Sequence, residues 1–254
     1  MLSVVAAAPN SAHTSGMGPH TRQFCPIAKA AEIICERWTL LVVRELLLGS
    51  RRFNDFQRGL PMLSPALLTK RLRSLEESGV LVRAQTPRGI EYRPTLAGEE
   101  LRPMVVLAGH WGARWVRSHL AREELDAGSL MWFIHRHFKL DALPPREIVL
   151  HVAFTDEKRM ARWWIVLSPE GGELCLEDPG REVDVYLTTD VRTLTAVYLG
   201  DMTFGQALAQ RRLVAVGARD LLADIHQWFA RSRFADTPAA GDEERGVPQA
   251  AAHH

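Results

Sequence analysis

The chain has 254 residues, 46% of them hydrophobic and 24% charged, with a formal net charge of +1. This is ordinary globular composition, and the length provides enough apolar residues for two hydrophobic cores. The first apolar stretch, Leu2–Ala8, is too short to span a bilayer and has no basic residue ahead of it, which argues against a membrane protein and a secretory signal. We therefore expect a cytoplasmic protein of two domains.

Cysteine pairs and catalytic motifs are absent from the sequence. Cys25, Cys35 and Cys175 are odd in number, with no CxxC pair and no His at metal-ligand spacing, so neither a disulfide framework nor a zinc site is predicted. The chain also has no GxSxG, GxxxxGKS/T or HExxH motif, and no GxGxxG after a strand. We expect no metal, no cofactor and no enzymatic activity.

Charge is divided unevenly along the chain. Residues 1–118 contain 16 Lys and Arg against 9 Asp and Glu, whereas residues 119–254 contain 15 against 21. A basic first half and an acidic second half predict that the first half binds a polyanion. The alternative is that two unrelated domains simply differ in charge.

Composition also suggests where the domains begin and end. Residues 1–22 and 235–254 lack a sustained hydrophobic period and are predicted to be disordered tails. A polar stretch at 119–128 is predicted to be a linker. It would separate a first domain at 23–118 from a second at 129–234.

The first domain opens with helical patterns. From Pro26, which suits the first turn of a helix, apolar residues recur at helical spacing as far as Gly49 and predict one or two core helices. A shorter helix carrying Phe53 and Phe56 follows, and Pro61 ends it.

The segment LPMLSPALLTKRLRSLEESGVL, residues 60–81, predicts an amphipathic helix. Ser64 is placed to cap a helix that runs from Pro65 to Ser78. The leucines expected to be buried are Leu68, Leu72 and Leu75. The opposite face is small, polar and positive, and would fit a DNA major groove. A leucine-rich helix with basic residues is nevertheless common in any helical core.

The next segment, VLVRAQTPRGIEYRPT, strengthens the interpretation as a DNA-reading helix. Two alternating runs flank a turn at residues 87–89 and predict a hairpin with a basic tip. Helices followed by such a ribbon form a winged helix, in which arginines of the hairpin approach phosphates or a narrow minor groove. The predicted DNA-contacting residues are Ser64, Ala66, Thr69, Lys70, Arg71, Arg73, Arg83, Arg88 and Arg93.

Residues 24–118 resemble the HxlR-type winged-helix regulators. The resemblance rests on an N-terminal Cys-Pro, Trp-Thr-Leu-Leu at 38–41, Arg44-Glu45-Leu46, Ser64-Pro65 and a Tyr, Thr and Gly pattern at 92–98. The compact wing turn TPRG departs from the family pattern. The resemblance implies a dimeric DNA-binding repressor or activator whose first and last helices pair across a two-fold axis. It also implies a redox candidate, Cys25, at the position that some members use as a thiol switch.

The last helix of this domain is predicted from TLAGEELRPMVVLAGHWGARWVRSH. Its candidate dimer face consists of Leu101, Val105, Ala108, Trp111 and Trp115. A dimer would read a palindromic operator with half-sites about 34 Å apart. The alternative is that these residues only fill the core of one chain, with Pro103 breaking the helix.

The second half alternates between strand and helix patterns. An apolar helix precedes four strand-like runs, and a helix, a short helix, a strand and a closing helix follow, which predicts an α+β sheet covered by helices on one face. Residues 129–231 resemble the sterol carrier protein type two-like fold in the runs 184–189, 204–207 and 213–217. The resemblance implies an apolar cavity between sheet and helices. Its candidate wall residues are Trp132, Phe133, Trp164, Tyr186, Tyr198, Phe204 and Trp228.

These patterns predict a DNA-binding transcriptional regulator, dimeric and cytoplasmic, whose second domain senses a small hydrophobic ligand. Several alternatives remain open. The second domain could be structural or bind a protein, since core aromatics mostly pack against each other. Cys25 could act as a thiol switch, or the chain could be a lipid carrier that does not bind DNA.

Overall fold

The computed structural model describes residues 23–116, 124–169 and 171–241. The first half is a mainly helical winged helix-turn-helix and the second is an α+β sheet with helices, as predicted. The helices are α1 (Pro26–Ile34), α2 (Thr39–Leu47), α3 (Phe53–Gly59), α4 (Pro65–Glu77), α5 (Leu96–Glu99), α6 (Arg102–Trp115), α7 (Ala127–Ile134), α8 (Val191–Leu199), α9 (Phe204–Ala209), α10 (Arg219–Ala223) and α11 (Ile225–Trp228). The strands are β1 (Leu81–Thr86), β2 (Gly89–Pro94), β3 (Ile148–Phe154), β4 (Arg162–Ser168), β5 (Gly171–Cys175), β6 (Val185–Thr189) and β7 (Leu213–Gly217).

The core of the first half lies between α2, α3, α4 and the start of the hairpin. The apolar run from Pro26 to Gly49 forms two helices because Trp38, with φ 77°, turns the chain between α1 and α2. The core side chains are Val42, Val43, Leu46, Leu47, Phe56, Leu60, Leu63, Leu68, Leu72, Leu75, Val80 and Leu81. The spacing of the three α4 leucines therefore predicted their burial correctly.

Helix α4 begins and ends close to its predicted bounds. The Ser64 side chain accepts a hydrogen bond from the Leu67 backbone N–H at 3.4 Å, which caps the first turn. At the other end Gly79 has φ +71°, a conformation that glycine adopts without strain, and the chain leaves the helix there.

The wing is a tight hairpin attached to the helical core. Strands β1 and β2 are antiparallel and are joined by a two-residue loop, Pro87 and Arg88. The ring of Tyr92 packs edge-on against Phe56 with centroids 6.0 Å apart, and its backbone N–H donates to the Arg51 carbonyl at 2.7 Å. These contacts fix the ribbon next to α3 and α4.

The predicted last helix is two helices, α5 and α6, and its face is divided differently from the prediction. Pro103 lies in the first turn of α6, where it needs no hydrogen-bonded N–H, and so does not break the helix. Leu101 and Val105 pack on the core of their own chain, whereas Trp111 is 61% exposed. The large exposed apolar residues, called here the outer stripe of α6, are Met104, Leu107, Trp111 and Trp115. Ala108 is exposed as well.

The second half is built on a five-stranded sheet of order β5-β4-β3-β6-β7. Strands β3 and β6 are parallel and the other neighbours are antiparallel. In β6, Val185 and Leu187 are buried beneath helices α7–α11, while Tyr186 points to the other face and is 47% exposed. One sheet face therefore carries the core and the opposite face is partly open.

The boundaries between the halves differ from the expected ones. Helix α7 starts at Ala127, capped by Asp126, inside the expected linker at 119–128. Residues 235–240, expected to lie in a tail, pack against α6: the Ala240 N–H donates to the Arg114 carbonyl at 2.7 Å, and Thr237 Oγ1 lies 2.8 Å from His110 Nδ1. The tails at 1–22 and 242–254 lie outside the described residues.

The described ranges contain neither a membrane-spanning helix nor a metal-binding group of side chains. None of their helices is long and apolar enough to cross a membrane. Within the same ranges, no three His, Cys, Asp or Glu side chains converge as a group that could hold a metal ion.

Candidate nucleic-acid interface and domain junction

The face of α4 opposite its buried leucines is exposed and carries most of the predicted DNA-contacting residues. Ser64, Ala66, Thr69, Lys70 and Arg73 are all exposed. The Thr69 hydroxyl donates to the Pro65 carbonyl at 2.9 Å, and Arg73 forms an i,i+4 ion pair with Glu77 at 2.9 Å. Because both members of that pair are exposed, the pair is weak and the guanidinium can exchange partners.

Arg71 is a correction to the predicted set. Its side chain is buried against the turn between α1 and α2, where Nε donates to the Arg37 carbonyl at 3.0 Å and the guanidinium pairs with Glu36. Burial also lowers the pKa of Arg71. The residue therefore holds α4 against the first two helices instead of facing outward.

The three wing arginines do not share one surface. Arg88 lies exposed at the tip of the hairpin. Arg83 stands opposite Tyr92 in the strand register and Arg93 stands opposite Val82. Since neighbouring residues of a strand point to opposite faces, Arg83 and Arg93 lie on opposite faces of the ribbon. Arg93 also pairs with Glu91 at 2.9 Å.

The seven predicted cavity-wall aromatics are dispersed and do not enclose one cavity between sheet and helices. Trp164 and Tyr186 lie on the partly open sheet face, where their rings flank His151 at 4.8 and 5.5 Å. Phe204 and Trp228 are buried in the core, where both lie beside Phe229. Core packing therefore accounts for these two rings. Trp132, Phe133 and Tyr198 lie at the junction between the two halves.

Trp132 and Arg136 connect the second half to a buried carboxylate of α2. Glu45 is fully buried, and its Oε2 accepts hydrogen bonds from Trp132 Nε1, Arg136 Nη1 and Ser50 Oγ, each at 3.1 Å. Its Oε1 accepts from Arg44 Nη2 at 3.0 Å. We call these five residues the Glu45 cluster. A buried charge is tolerated only when it is paired and hydrogen-bonded, and this one is both.

The surroundings of the cluster are tightly packed. Arg136 stacks on the Trp132 ring, 4.0 Å from its centroid, and also donates to Ser50 Oγ at 2.9 Å. A Cβ on Gly59 of α3 would overlap the Glu45 carboxylate, so this position requires glycine. Helix α7 packs directly against α3 beside it. The second half thus contacts the helix that precedes α4.

His135 adds no positive charge here near neutral pH. Burial, with a smaller effect of the neighbouring Arg136, lowers the pKa of His135 to about 4. Its ring lies 4.6 Å from that of Trp132.

The sequence contains one signal for the Glu45 cluster that helical periodicity does not express. Glu45 lies within LLVVRELLL, a run that is otherwise apolar except for Arg44. A carboxylate in such a run needs a buried partner. Its distant partners in WFIHRHF have no local pattern that identifies them as such.

A cavity of about 410 Å³, called here the junction cavity, lies between α2, α6, the end of α7, α8 and the chain after α11. Phe133 and Tyr198 form part of its wall, and the Tyr198 hydroxyl lies 3.4 Å from His137 Nδ1. Burial raises the pKa of Tyr198, so its hydroxyl remains neutral. The other lining residues are Leu40, Leu41, Arg44, Leu47, Leu48, Arg102, Val105, Val106, Ala108, Gly109, His137, Leu199, Ser232, Arg233 and Phe234.

Cys25 immediately precedes α1 and is partly exposed, and its thiol is free. The redox role implied by the family resemblance stays a prediction.

Comparisons with known proteins find relatives for the first half of the chain. Residues 33–120 match the family model described as HxlR-like helix-turn-helix. YvaP of Bacillus subtilis (strain 168), an uncharacterized HTH-type transcriptional regulator, is 39% identical over 98 residues, which cover 37% of this chain and 91% of YvaP. A second uncharacterized regulator of this type, sll1512 of Synechocystis sp. (strain ATCC 27184 / PCC 6803 / Kazusa), is 34% identical over 111 residues, or 42% of this chain and 82% of sll1512. Among solved structures, the redox regulator HypR in its oxidized form is 31% identical, with a TM-score of 0.33, over 35% of this chain and 94% of HypR.

Proposed function

The chain belongs to the HxlR-like helix-turn-helix family, and on this premise we propose that it is a homodimeric transcriptional regulator that reads duplex DNA with α4 and the wing and responds to a small hydrophobic molecule. In this proposal residues 23–118 bind DNA and form the dimer, while residues 129–234 form a sterol-carrier-like regulatory domain.

The exposed face of α4 is the observation that supports DNA binding most directly. The helix has 13 residues, or about 20 Å at about 1.5 Å per residue, and so can lie along a major groove. Its leucines are buried while Lys70 and Arg73 are exposed. Lys70, Arg73 and the wing-tip Arg88 supply the positive charge that phosphate contacts require.

To test this proposal, the full chain is used to select tight-binding duplexes from a randomised pool. A selected duplex then serves as the probe. Fluorescence anisotropy then measures affinity between about 50 and about 200 mM salt. We expect a steep loss of affinity with salt, because phosphate binding releases counterions. Lys70→Ala and Arg73→Ala should each weaken binding and flatten the salt dependence by about one unit of log–log slope per lost phosphate contact.

Arg219→Ala is the matched control, because it removes an exposed arginine from α10, far along the chain from the reading helix. It should leave affinity and salt slope unchanged. Equal binding by all three variants and the parent protein would contradict the assignment of α4.

The outer stripe of α6 supports the homodimer. Leu107 is 68% exposed and Trp111 61% exposed, and exposed apolar surface of this extent on one helix indicates a protein interface. Phe24 and Ile27, next to and within α1, are also exposed. These positions agree with pairing through the first and last helices of the winged-helix domain.

The junction cavity supports ligand sensing, since its volume is within the range of sites for small organic molecules. The Glu45 cluster favours a second candidate function for residues 129–234, as a brace that holds α2 and α3 in place without a ligand. Ligand binding by the full chain distinguishes the two candidate functions.

A further inference from the structure

We propose that the junction cavity binds a small amphiphilic anion, with an apolar body among the leucines and valines of α2 and α6 and an anionic head at Arg44 and Arg233. The assignment rests on the ligand-sensing part of the proposed function and gives it a place and a chemical class. That place is the contact between the two halves, not the space between the sheet and its helices.

The chemistry of the wall selects this class. Most lining residues are apolar, and the charged ones among the described residues are Arg44, Arg102 and Arg233, with no aspartate or glutamate. Arg102 forms an ion pair with Glu99, and Arg44 forms one with Glu45; neither glutamate lines the cavity. Across the described part of the chain, no carboxylate pairs with Arg233. The wall thus keeps a positive excess next to apolar surface.

Arg44 has an unused donor. Its Nε is buried and has no hydrogen-bond partner among the described residues, although its Nη2 donates to Glu45. A buried unsatisfied donor carries a desolvation cost, and a turn of the Arg44 guanidinium toward the cavity would let a bound carboxylate or sulfonate remove that cost. The guanidinium also lies over the Phe133 ring, 4.8 Å from its centroid, which holds it at the cavity wall.

A second hollow at the same junction has the opposite character. It is lined by Asp126, Glu177 and Asp178 together with Arg58, and so would repel an anion. Of these two hollows, the junction cavity is therefore the one that suits an anion.

Arg44 also connects the cavity to the Glu45 cluster. An anion beside Arg44 competes with Glu45 for the same guanidinium and so weakens one of the bonds that hold the cluster together. Since the Glu45 carboxylate packs on Gly59 of α3, occupancy of the cavity changes how α3 is held. A ligand that favours one arrangement of α3 thereby changes DNA affinity.

Isothermal titration calorimetry of the full chain with decanoate, and with decanol as the uncharged analogue of equal chain length, tests the assignment. We expect decanoate to bind at one site per chain, at least about tenfold more tightly than decanol, because a charge-assisted hydrogen bond is lost with the alcohol. Arg233→Met and Arg44→Met should each reduce decanoate affinity by about tenfold, and Val106→Trp, which fills the cavity, should abolish it.

Arg58→Met is the matched control, because it removes an arginine at the junction but outside the cavity. It should leave decanoate binding unchanged. Thermal unfolding establishes that each variant is folded. Because Arg233 is exposed, Arg233→Met should fold normally, and it tests the site even if Arg44→Met is unstable. Equal binding of decanoate and decanol, or full binding by Arg233→Met and Val106→Trp, overturns the proposal.

Anisotropy with the selected duplex separates this proposal from the broader one. If the chain binds decanoate but not DNA, the proposed regulatory function is wrong and the proposed anion site still stands. DNA binding without decanoate binding would overturn the site alone.

Discussion

Glu45 connects the two halves of the chain through hydrogen bonds to residues of both. Its carboxylate is fully buried and receives hydrogen bonds from Ser50 and Arg44 in its own half and from Trp132 and Arg136 in the other. Removing one member of a buried ion pair leaves the other charge unpaired in a medium of low dielectric constant. A single residue therefore contributes to the stability of both halves.

We expect Glu45→Gln to lower the free energy of unfolding by about 3 kcal/mol, because Arg136, only 13% exposed, loses its counter-charge. Urea denaturation measures the loss. The control is Glu77→Gln on α4, which removes a carboxylate from an exposed pair and should cost less than about 0.5 kcal/mol. A loss for Glu45→Gln as small as that for the control would show that the cluster adds little stability.

For individual residues, the sequence predicts burial and capping within one helix better than it predicts contacts between helices. Helical spacing identified Leu68, Leu72 and Leu75 as buried, and the cap at Ser64 follows from residue type and position. Glu45 and Arg136 are 91 residues apart, and no local period relates them. Their pairing depends on how α7 packs on α3.

In helix α4, too, the sequence pattern does not predict a contact with another part of the chain, that of Arg71. Arg71 lies three residues after Leu68 and four before Leu75, which places it at the edge of the buried stripe. Its partners, Glu36 and the Arg37 carbonyl, come from the turn before α2, which the α4 pattern does not indicate. The bounds of α4 and of the wing were predictable because a cap, a proline and a glycine turn mark them.

Substitutions of Arg71 and Arg73, both on α4, are therefore expected to have opposite effects on stability and DNA binding. Arg71→Met should lower the free energy of unfolding by about 1–3 kcal/mol, since it leaves the Arg37 carbonyl and Glu36 without their donor. Arg73→Met should change stability by less than about 0.5 kcal/mol but weaken DNA binding. Urea denaturation and anisotropy of both variants measure the two effects. A stable Arg71→Met protein with weakened DNA binding would restore Arg71 to the DNA-contacting set.

At the scale of the whole molecule, several contacts among the described residues join the two halves, and the Glu45 cluster is one of them. Helix α7 contacts α3, and residues 232–240 return to α6, where the Phe234 ring lies 5.2 Å from that of His110. The α+β class of the second half was predictable from alternating apolar runs and turn signals. The return of the chain to α6 was not, because DTPAAG has the composition of a tail.

The outer stripe of α6 leads to a prediction about assembly. Leu107→Glu combined with Trp111→Glu should shift the mass measured by light scattering from two chains to one, because each change places a charge in an apolar interface at a cost of at least about 2 kcal/mol. Val214→Glu, on the partly open face of the sheet, is the control and should stay dimeric. An unchanged mass for the double variant would locate the dimer contact elsewhere.

The span of the Glu45 cluster also bears on the order in which the protein folds. A chain emerging from the ribosome presents α2 first, and the Trp132 and Arg136 side chains follow 87 and 91 residues later. Until then Ser50 and Arg44 are the partners that the described residues of the first half offer the Glu45 carboxylate, and the side that the second half later covers is open to water. The Glu45 cluster can therefore form in full only after Trp132 and Arg136 have been synthesised.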